Sequence, residues 1–439
     1  MKFYYPNEFL NLLKTQKNIV IMGLSLRVMD ILNRFDLSKN VVAVLDNDPK
    51  KQSKKFKNIK IISQQQLKKS HKIVIFLCPY MQDFAKQILD LKFDIFAIEY
   101  DKSCFERFFG DKFKFHLETM DYRAKFEKNN PQFSMATAIF DAIAWYNVPI
   151  LTTSTKHNNQ WYFAPRKAGK YDFLISYHSI GKKAANILRY KEGYFHDIMF
   201  FDDIGFSGFS SNIDSKKVNL INQNEANKYF DKIYQTYTVK NLSKYEQTAP
   251  QKLNLPKKYL FLAMQTTDDA VMQLSYFEPI DLVKKLVKFT QQNGLNLVIK
   301  RHPRCHDKNV DKLFSKISSL KHVFITTASI HQLIKNASAV FTINSGVGFE
   351  ALMHLKPVVL FGKADYESCC VVCKDIAKLS IPSELNDNQK LYIKKFITYF
   401  MQNLNANIND KDKIARIIDI KLKDYLEKIF KQDYLKDIK

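Results

Sequence analysis

The segment from residue 339 to residue 362, AVFTINSGVGFEALMHLKPVVLFG, constrains the fold most, because it predicts strand, turn, helix and strand in succession. Ala339 to Ile343 is a β-branched and aromatic run long enough for a buried strand. The small residues that follow allow a tight turn, and Phe349 to Leu355 contains good helix formers. Pro357 to Gly362 then predicts the next strand. The segment therefore predicts one βαβ unit of an α/β sheet.

The turn of this segment has the composition of a phosphate site. Unpaired N–H groups at a helix N-terminus point outward, and the helix dipole favours negative charge there. Glu350 is expected in the first helical turn, close enough to accept hydrogen bonds from a sugar hydroxyl. An ordinary βαβ turn without a ligand is the alternative interpretation. The turn residues are Asn344, Ser345, Gly346 and Gly348.

Length and charge bound the class of protein. A chain of 439 residues suits two or three domains. Lys and Arg outnumber Asp and Glu by 68 to 44, which gives a formal net charge of +24. Such a surface favours polyanions, either a charged glycan or an anionic membrane, although a general Lys-rich composition is the alternative. No RNP, zinc-finger or helix-turn-helix pattern is present, so nucleic acid is not an expected partner.

The sequence also predicts a compartment and a redox state. No apolar run approaches the roughly 20 residues of a membrane span, and the first residues, MKFYYPNEFLNLLK, lack the apolar core of a signal peptide. We expect a cytoplasmic protein, with peripheral attachment to the inner face of the inner membrane through its Lys-rich C-terminal segment. The six cysteines form no paired framework, and Cys370 and Cys373 lack a second pair for zinc. No metal and no cofactor are predicted.

Residues 17–100 predict a compact Rossmann-like unit with strands KNIVIMG, NVVAVLDND, HKIVIFLC and FDIFAIEY. The first turn reads GLSLRV, so only Gly23 remains where a dinucleotide site requires G-x-G-x-x-G. A docking or scaffolding role is the favoured interpretation of this unit. Residues 101–135 are interpreted as a connecting helical segment that ends near Pro131.

A second α/β unit is expected to follow. It contains predicted strands at VPILTT, WYFAP and DFLISY, a helix at GKKAANILRY and a strand at DIMFF. The last strand delivers Asp202 and Asp203 to its carboxyl end, where open α/β sheets place their chemistry. An Asx-rich turn is the alternative interpretation of these two residues.

A third unit begins at YLFLAMQTTDD, whose strand ends at Gln265 and Asp268. The strand LNLVIK delivers the run Lys300, Arg301, His302, Pro303 and Arg304, and two Lys-rich helices close the chain after residue 387. The predicted domains are a degenerate Rossmann-like unit at 1–110, an acceptor half at 111–255, a donor half at 256–386 and C-terminal helices at 387–439.

The carboxyl ends of four predicted strands are expected to meet at one crevice. Ligands of doubly wound sheets bind outside the carboxyl ends of the strands, so we expect the ligand there. The cations of the third unit and the helix N-terminus would hold a phosphodiester, while the carboxylates of the second unit would contact a sugar. This combination is typical of nucleotide-sugar chemistry.

The same residues carry a resemblance. The order FLAMQTTDD, KRHPR, INSGVGFEAL and LKPVVLFGKADY, preceded by YHSIGKKAANILRYKEGYFHDIMFFDDIGFSGFSS, resembles the capsule polysaccharide biosynthesis family of KpsC- and KpsS-type bacterial β-Kdo glycosyltransferases. The match covers roughly residues 170 to 365. The family's W-G segment reads HSIG here, and its E-D-G-F loop reads DDIGF, which recovers both carboxylates only with a one-residue gap.

The resemblance implies a GT-B architecture of two facing Rossmann-like halves, no required metal, and CMP-Kdo as the donor for a glycan or lipid-linked acceptor. It also implies that His302 and Pro303 lie near the donor phosphate. Asn344, Ser345 and Glu350 would belong to the nucleotide loop, and Gln265 and Asp268 to the family's strand-end motif.

These residues predict a glycosyl transfer in which Asp203 is the base for the acceptor hydroxyl or a covalent nucleophile, with Asp202 beside it, and His302 contacts the leaving phosphate. Two alternatives remain open at this stage. One is a CDP-polyol phosphotransferase of the teichoic-acid type, and the other is a non-catalytic scaffold for capsule assembly.

Overall fold

The computed structural model describes residues 13, 15–24, 28, 32, 37, 39–76, 94–99, 114–120, 131–144, 149–155 and 161–433. Its strands form three six-stranded sheets, all dominated by parallel pairs. The predicted α/β class, with two Rossmann-like halves and an additional N-terminal Rossmann-like unit, is confirmed.

The first sheet has the order β3-β4-β2-β1-β5-β6. Its pairs are parallel except for the β3–β4 hairpin, which the sequence did not predict. The strands are β1 (Ile19–Met22), β2 (Val41–Leu45), β3 (Lys55–Phe56), β4 (Ile59–Ile62), β5 (Lys72–Phe76) and β6 (Asp94–Glu99).

The carboxyl end of β2 shows how the N-terminal unit uses its acidic residue. The carboxylate of Asp46 accepts hydrogen bonds of 3.0 Å from the main-chain N–H groups of Leu24 and Asp48, and one of 3.2 Å from Lys51 Nζ. These contacts hold the pKa of Asp46 below its ordinary value although burial alone would raise it. A nucleotide ribose would have to displace the chain's own donors. The run LSLRVMDILNRF at 24–35, which predicts a helix after β1, lies mostly outside the described residues.

The second sheet has the order β18-β11-β10-β9-β7-β8. It corrects three predictions: residues 114–120 of the expected connecting helix form a strand, WYF at 161–163 is a 3-10 turn, and the expected helix at 181–190 gives way to a strand. The first five strands are β7 (Lys114–Met120), β8 (Ile150–Thr155), β9 (Asp172–Tyr177), β10 (Ile187–Glu192) and β11 (Ile198–Asp202).

Strand direction changes within the second sheet. β10 is parallel to β9, but β11 is antiparallel to β10, with Asp202 opposite Arg189 and Met199 opposite Glu192. The end of β11 therefore lies beside the middle of β10, away from the carboxyl ends of β9 and β10. This direction differs from the one that the sequence interpretation assumed for Asp202.

The third sheet is wholly parallel and has the order β14-β13-β12-β15-β16-β17, which is the strand order of a doubly wound dinucleotide-binding sheet. The topological switch point lies between β12 and β15. The strands are β12 (Leu260–Ala263), β13 (Leu297–Lys300), β14 (Val323–Ile325), β15 (Ala339–Thr342), β16 (Val358–Leu360) and β17 (Val371–Val372).

Local signals fix the helices of the third sheet. The helix at 279–292 begins with Pro279 after Glu278, whose carboxylate accepts from the N–H of Ile280 at 2.9 Å, and it is followed by Gly294 at φ +63°. The helices with defined bounds among the described residues are α1 (Pro131–Ala144), α2 (Ser215–Leu220), α3 (Gln223–Ile233), α4 (Pro279–Gln292), α5 (Lys308–Ile317), α6 (Ile330–Asn336), α7 (Gly346–Met353), α8 (Asp387–Tyr399) and α9 (Lys411–Asp433).

The C-terminal region returns to the second sheet. Between α8 and α9, β18 (Asn405–Asn407) pairs antiparallel with β11, and α9 packs on α1. The sequence did not predict this strand. Several lysines expected to form a membrane-binding face have partners within the chain: Lys411 pairs with Asp141 at 2.5 Å, and Lys421 pairs with Asp203 at 2.7 Å. Among the described helices, none combines the length and apolar composition that crossing a bilayer requires.

An aromatic cluster joins the second and third sheets. Tyr194, which follows β10, stacks on Phe349 of α7 with 4.6 Å between ring centroids, and on Phe400 with 5.7 Å. The buried core continues through this cluster from one sheet to the other. The two halves are thus joined by packed side chains.

Candidate active site

A cleft lies between the second and third sheets, at the switch point of the third sheet. Residues that follow β12, β13 and β15 line one wall, and residues at the end of β10 and after β11 line the other. The predicted residues that line it are Gln265, Lys300, Arg301, His302, Pro303, Asn344, Ser345, Gly346 and Glu350. Asp202, Asp203, Asp268, Arg304 and Gly348 are not among the lining residues.

A hydrogen bond spans the switch point. The main-chain N–H of Asn344 donates to Oε1 of Gln265 at 2.9 Å, which ties the loop after β15 to the loop after β12. The Asn344 side-chain amide donates to the carbonyls of Val271 and Lys363 at 3.0 and 3.2 Å. The side-chain oxygen of Asn344 has no partner among the described residues. Gln265 and Asn344 therefore fix the floor of the cleft.

The N-terminus of α7 is capped by Ser345, whose Oγ accepts from the N–H of Val347 at 3.3 Å. The two glycines allow close packing rather than a left-handed turn. A Cβ on Gly346 would lie 2.9 Å from the Tyr194 ring, and one on Gly348 would lie 2.3 Å from the Tyr366 hydroxyl oxygen. Gly346 borders the cleft at the positive end of the helix dipole, whereas Gly348 packs against Tyr366.

Glu350 lies on α7 inside the cleft wall with 2% of its surface exposed. It is the fifth residue of α7, so the prediction that it lies in the first turn is wrong. Burial raises the pKa of Glu350 to about 8, while a hydrogen bond with Ser243 and the charge of Lys300 act in the opposite direction. Its Oε1 has no partner among the described residues. Glu350 is therefore largely protonated at neutral pH and has an oxygen available for a hydroxyl group.

The predicted phosphate-binding cations already have partners within the chain. Lys300 Nζ donates to the carbonyl of Ala328 at 2.6 Å, and Arg301 forms an ion pair with Asp311. Arg304 lies with its guanidinium carbon 4.9 Å from the centroid of the Tyr245 ring. Lys300 and Arg301 border the cleft and contribute charge to it, but their contacts support the loop after β13.

His302 has a defined tautomer. Its Nδ1 accepts a hydrogen bond of 3.1 Å from the main-chain N–H of Arg304, so the neutral ring carries its proton on Nε2. Burial is the main cause that lowers the pKa of His302 to about 4; Asp269 opposes the shift, and the charges of Arg304 and Lys244 add to it. His302 therefore offers the cleft a neutral N–H donor at physiological pH.

The predicted strand-end acid is displaced by one residue. Asp268 is exposed and does not line the cleft, whereas its neighbour Asp269 does. Asp269 Oδ1 also accepts from the N–H of Val271 at 3.1 Å and so caps a 3-10 turn. The charge of Asp269 raises the pKa values of both His302 and Lys191 against the effect of burial.

Asp202 and Asp203 are held away from the cleft by their own contacts. The buried Asp202 carboxylate accepts from the main-chain N–H groups of Ile204, Gly205, Ser211 and Asn212 at 2.6 to 2.9 Å. Asp203 forms ion pairs with Lys183 at 2.9 Å and with Lys421 at 2.7 Å. The antiparallel direction of β11 explains their location, and the structure assigns them to loop folding and to the attachment of α9.

The wall opposite α7 contains residues that the sequence interpretation missed. Lys191 and Glu192 end β10 and line the cleft together with Phe206 and Ser207. Glu192 accepts a hydrogen bond of 2.8 Å from the Tyr177 hydroxyl. These residues were missed because GKKAANILRY was interpreted as a helix, although LRYK within ILRYKE alternates apolar and charged residues as a strand does.

A contact between the two halves closes one end of the cleft. The Tyr194 hydroxyl donates to the carboxylate of Asp365, which belongs to the segment after β16. Burial raises the pKa of Asp365 to about 6, and the Tyr194 hydrogen bond and the charge of Lys191 oppose that rise. The bond orients Asp365 within the interface between the halves.

The described part of the chain contains no group of three His, Cys, Asp or Glu side chains close enough together to hold a metal ion. The thiols of Cys370 and Cys373 donate to different carbonyls, those of Tyr366 and Asp375, at 3.4 and 3.3 Å. Cys305, Cys369, Cys370 and Cys373 are free thiols, and Cys78 and Cys104 lie outside the described residues.

Comparison with known proteins finds a family similarity in the C-terminal part of the chain. Residues 210–402 match the family model described as capsule polysaccharide biosynthesis protein. These residues hold four of the sequence motifs and most of the cleft, so this part of the chain is similar to the capsule polysaccharide biosynthesis family. No curated protein matches the chain.

Several solved structures are similar to this chain at low identity. The Thermosulfurimonas dismutans KpsC β-Kdo 2,4 transferase is 14% identical over 64% of this chain and 89% of its own, with a TM-score of 0.41. The β-Kdo 2,7 transferase of the same KpsC is 15% identical over 70% and 98%, with a TM-score of 0.40. The Methanocaldococcus jannaschii UDP-GlcNAc 2-epimerase is 13% identical over 70% and 98%, with a TM-score of 0.28.

Proposed function

We propose that this protein is a glycosyltransferase that moves a sugar from a CMP-activated donor, specifically Kdo from CMP-Kdo, to a glycan or lipid-linked acceptor of capsule synthesis. The single observation that carries the proposal is the composition of the cleft. A helix N-terminus, a buried carboxyl group and a neutral imidazole donor line one wall, and charged residues of the other half face them.

The nucleotide occupies the wall formed by the third sheet. The donor phosphate lies at the N-terminus of α7 beside Gly346, where the dipole and the main-chain N–H groups favour an anion. Glu350 lies one helical turn further along and uses its unpaired Oε1 for a ribose hydroxyl. The floor formed by Gln265 and Asn344 keeps these two subsites at a fixed separation.

Departure of the nucleotide increases negative charge on the phosphate in the transition state. The Nε2–H of His302 and the N-terminus of α7 are donors that favour this charge more than the ground state, so they lower the barrier. These groups stabilise the leaving phosphate without a divalent cation, so EDTA is not expected to reduce the rate.

The acceptor hydroxyl loses its proton as the new glycosidic bond forms. Asp269 lines the cleft within electrostatic reach of His302 and Lys191, and a solvent-exposed carboxylate at that position is suited to accept the proton. We therefore assign the base to Asp269 in place of Asp203, whose carboxylate is held by two lysines.

The proposal is tested with the purified full-length protein and CMP-Kdo or CDP-glycerol in parallel reactions. Membranes of a capsule-producing bacterium supply the acceptor. Acceptor-dependent release of CMP from CMP-Kdo supports the proposal, whereas release of CMP from CDP-glycerol supports a polyol phosphotransferase.

Thermal unfolding distinguishes an enzyme from a scaffold. CMP at one hundred times its Kd should stabilise an enzyme by about 2.7 kcal/mol. A protein that neither nucleotide stabilises, and that releases no CMP, would be a non-catalytic member of the family. Flotation with anionic liposomes tests the separate prediction of peripheral membrane attachment.

A further inference from the structure

Lys191 carries a charge in the cleft wall that faces the nucleotide subsite. Its Nζ lies 4.3 Å from the centroid of the Phe206 ring, which is a cation–π contact. Among the described residues, Lys191 forms no ion pair and no hydrogen bond from its ammonium group. The ammonium is therefore available to an anionic ligand in the cleft that Lys191 lines.

The surroundings of Lys191 disfavour the protonated form of its side chain when no anionic ligand is bound. Burial, and after it the charge of Lys244, lowers the pKa of Lys191 to about 8. Glu192, Asp269 and Asp365 oppose this shift from a distance. The ammonium is still mainly protonated at pH 7, so the protein retains a partly buried cation that contacts no counter-charge among the described residues.

Lys244 adds a second positive charge to the same cavity. It lines the cleft and is close enough to Lys191 to lower its pKa. Lys300 and Arg301, by contrast, use their donors on Ala328 and Asp311. Two like charges that repel each other in a cleft are both stabilised when an anion binds between them.

We propose that Lys191, together with Lys244, binds the carboxylate of the sugar that is transferred, and thereby selects donors that carry an acidic sugar. This inference rests on the proposed function. A CMP-activated sugar contains one phosphate, and the N-terminus of α7 and His302 provide for that phosphate on the opposite wall. A cationic site on the other wall must therefore serve a different anionic group, and the carboxylate of an acidic sugar is such a group.

The test compares the affinities of the full-length protein for CMP and CMP-Kdo by titration calorimetry at pH 7. Lys191→Met should weaken CMP-Kdo binding about tenfold or more, because a hydrogen bond to a charged group is lost, and should leave CMP binding unchanged. Lys191→Arg keeps the charge and should restore part of the affinity. Lys285→Met is the matched control, because Lys285 makes a similar cation–π contact with Phe277 at 5.4 Å outside the cleft.

Three other outcomes overturn the inference in different ways. Equal weakening of CMP and CMP-Kdo would assign Lys191 to the nucleotide phosphate. Unchanged donor affinities with a raised KM for the acceptor would assign it to an acidic acceptor. If the wild-type protein binds neither CMP nor CMP-Kdo, the proposed function itself fails, and this inference fails with it.

Discussion

The main-chain N–H of Arg304 donates a hydrogen bond of 3.1 Å to Nδ1 of His302, and this contact fixes which proton the imidazole can offer. Because Nδ1 is occupied, a ligand in the cleft meets Nε2–H. The loop after β13 therefore positions the His302 ring and also determines that its proton is on Nε2.

Replacement of His302 tests this role. His302→Ala should lower kcat about a hundredfold or more, because one preorganised donor to the leaving phosphate is lost, and His302→Gln should retain more activity than His302→Ala. Since the pKa of His302 is about 4, the kcat of the wild-type enzyme should show no inflection from this group between pH 5.5 and pH 8. An inflection near pH 6.5 that disappears in His302→Ala would show instead that the ring acts as a proton donor that ionises.

The neighbouring aspartates Asp268 and Asp269 provide an internal control. Asp269→Asn should lower kcat by about a hundredfold or more if its carboxylate accepts the proton of the acceptor, while Asn preserves the cap of the 3-10 turn. Asp268→Asn should change kcat little, because Asp268 does not line the cleft. Equal losses in the two variants would contradict the assignment of the base to Asp269.

Glu350 should make stability depend on pH. Its folded-state pKa is raised from 4.5 to about 8, so between these values the folded protein binds more protons than the unfolded chain. The free energy of unfolding should therefore fall as pH rises from 5 to 8. In Glu350→Gln this part of the slope should vanish, as measured by urea unfolding at both pH values. Glu246→Gln, an exposed change in the same cleft, should keep the wild-type slope.

Lys191 should show opposite effects on stability and on binding. Its folded-state pKa of about 8 lies below the ordinary value of 10.5, so the folded state disfavours the charged form that dominates at pH 7. Lys191→Met should therefore raise the Tm while it weakens CMP-Kdo binding. A lower Tm would show that Lys191 stabilises the fold. The wild-type protein should itself become more stable as pH rises from 8 toward 10.5.

Asp203 should contribute to stability more than to catalysis. Asp203→Asn breaks the ion pair with Lys421, in which both side chains are nearly buried, and should lower the free energy of unfolding by about 3 kcal/mol. Lys183→Met removes only the more exposed pair and should cost less than about 1 kcal/mol. The kcat of folded Asp203→Asn should remain within about threefold of wild type. A loss of a hundredfold or more would restore Asp203 to the chemistry.

Local sequence signals were sufficient to predict the third sheet except for its edge strand β17. Each strand there is a short apolar run, and caps such as Glu278 and Ser345 mark where helices begin. A wholly parallel sheet also brings all carboxyl ends to one edge, so Gln265, His302 and Asn344 could be placed together before any coordinates were known.

Local signals were insufficient for the second sheet. The run GKKAANILRY is rich in helix formers, but tertiary pairing with β9 and β11 makes its last residues a strand. Apolar periodicity does not encode strand direction. Because β11 is antiparallel to β10, Asp202 and Asp203 do not lie at the carboxyl ends of β9 and β10, where they were predicted. Lys191 and Glu192 were missed because the segment that leads to them was predicted as a helix instead of a strand.

The pairing of β18 with β11 also limits where the gene can be shortened. A polypeptide that stops at residue 404 would keep every strand of the third sheet. It would lack β18, so β11 would become an unprotected edge strand of the second sheet. Its open N–H and C=O groups could then recruit other copies of the same strand. Such a shortened protein is expected in inclusion bodies, and a peptide spanning residues 405–433 supplied during refolding should return part of it to solution.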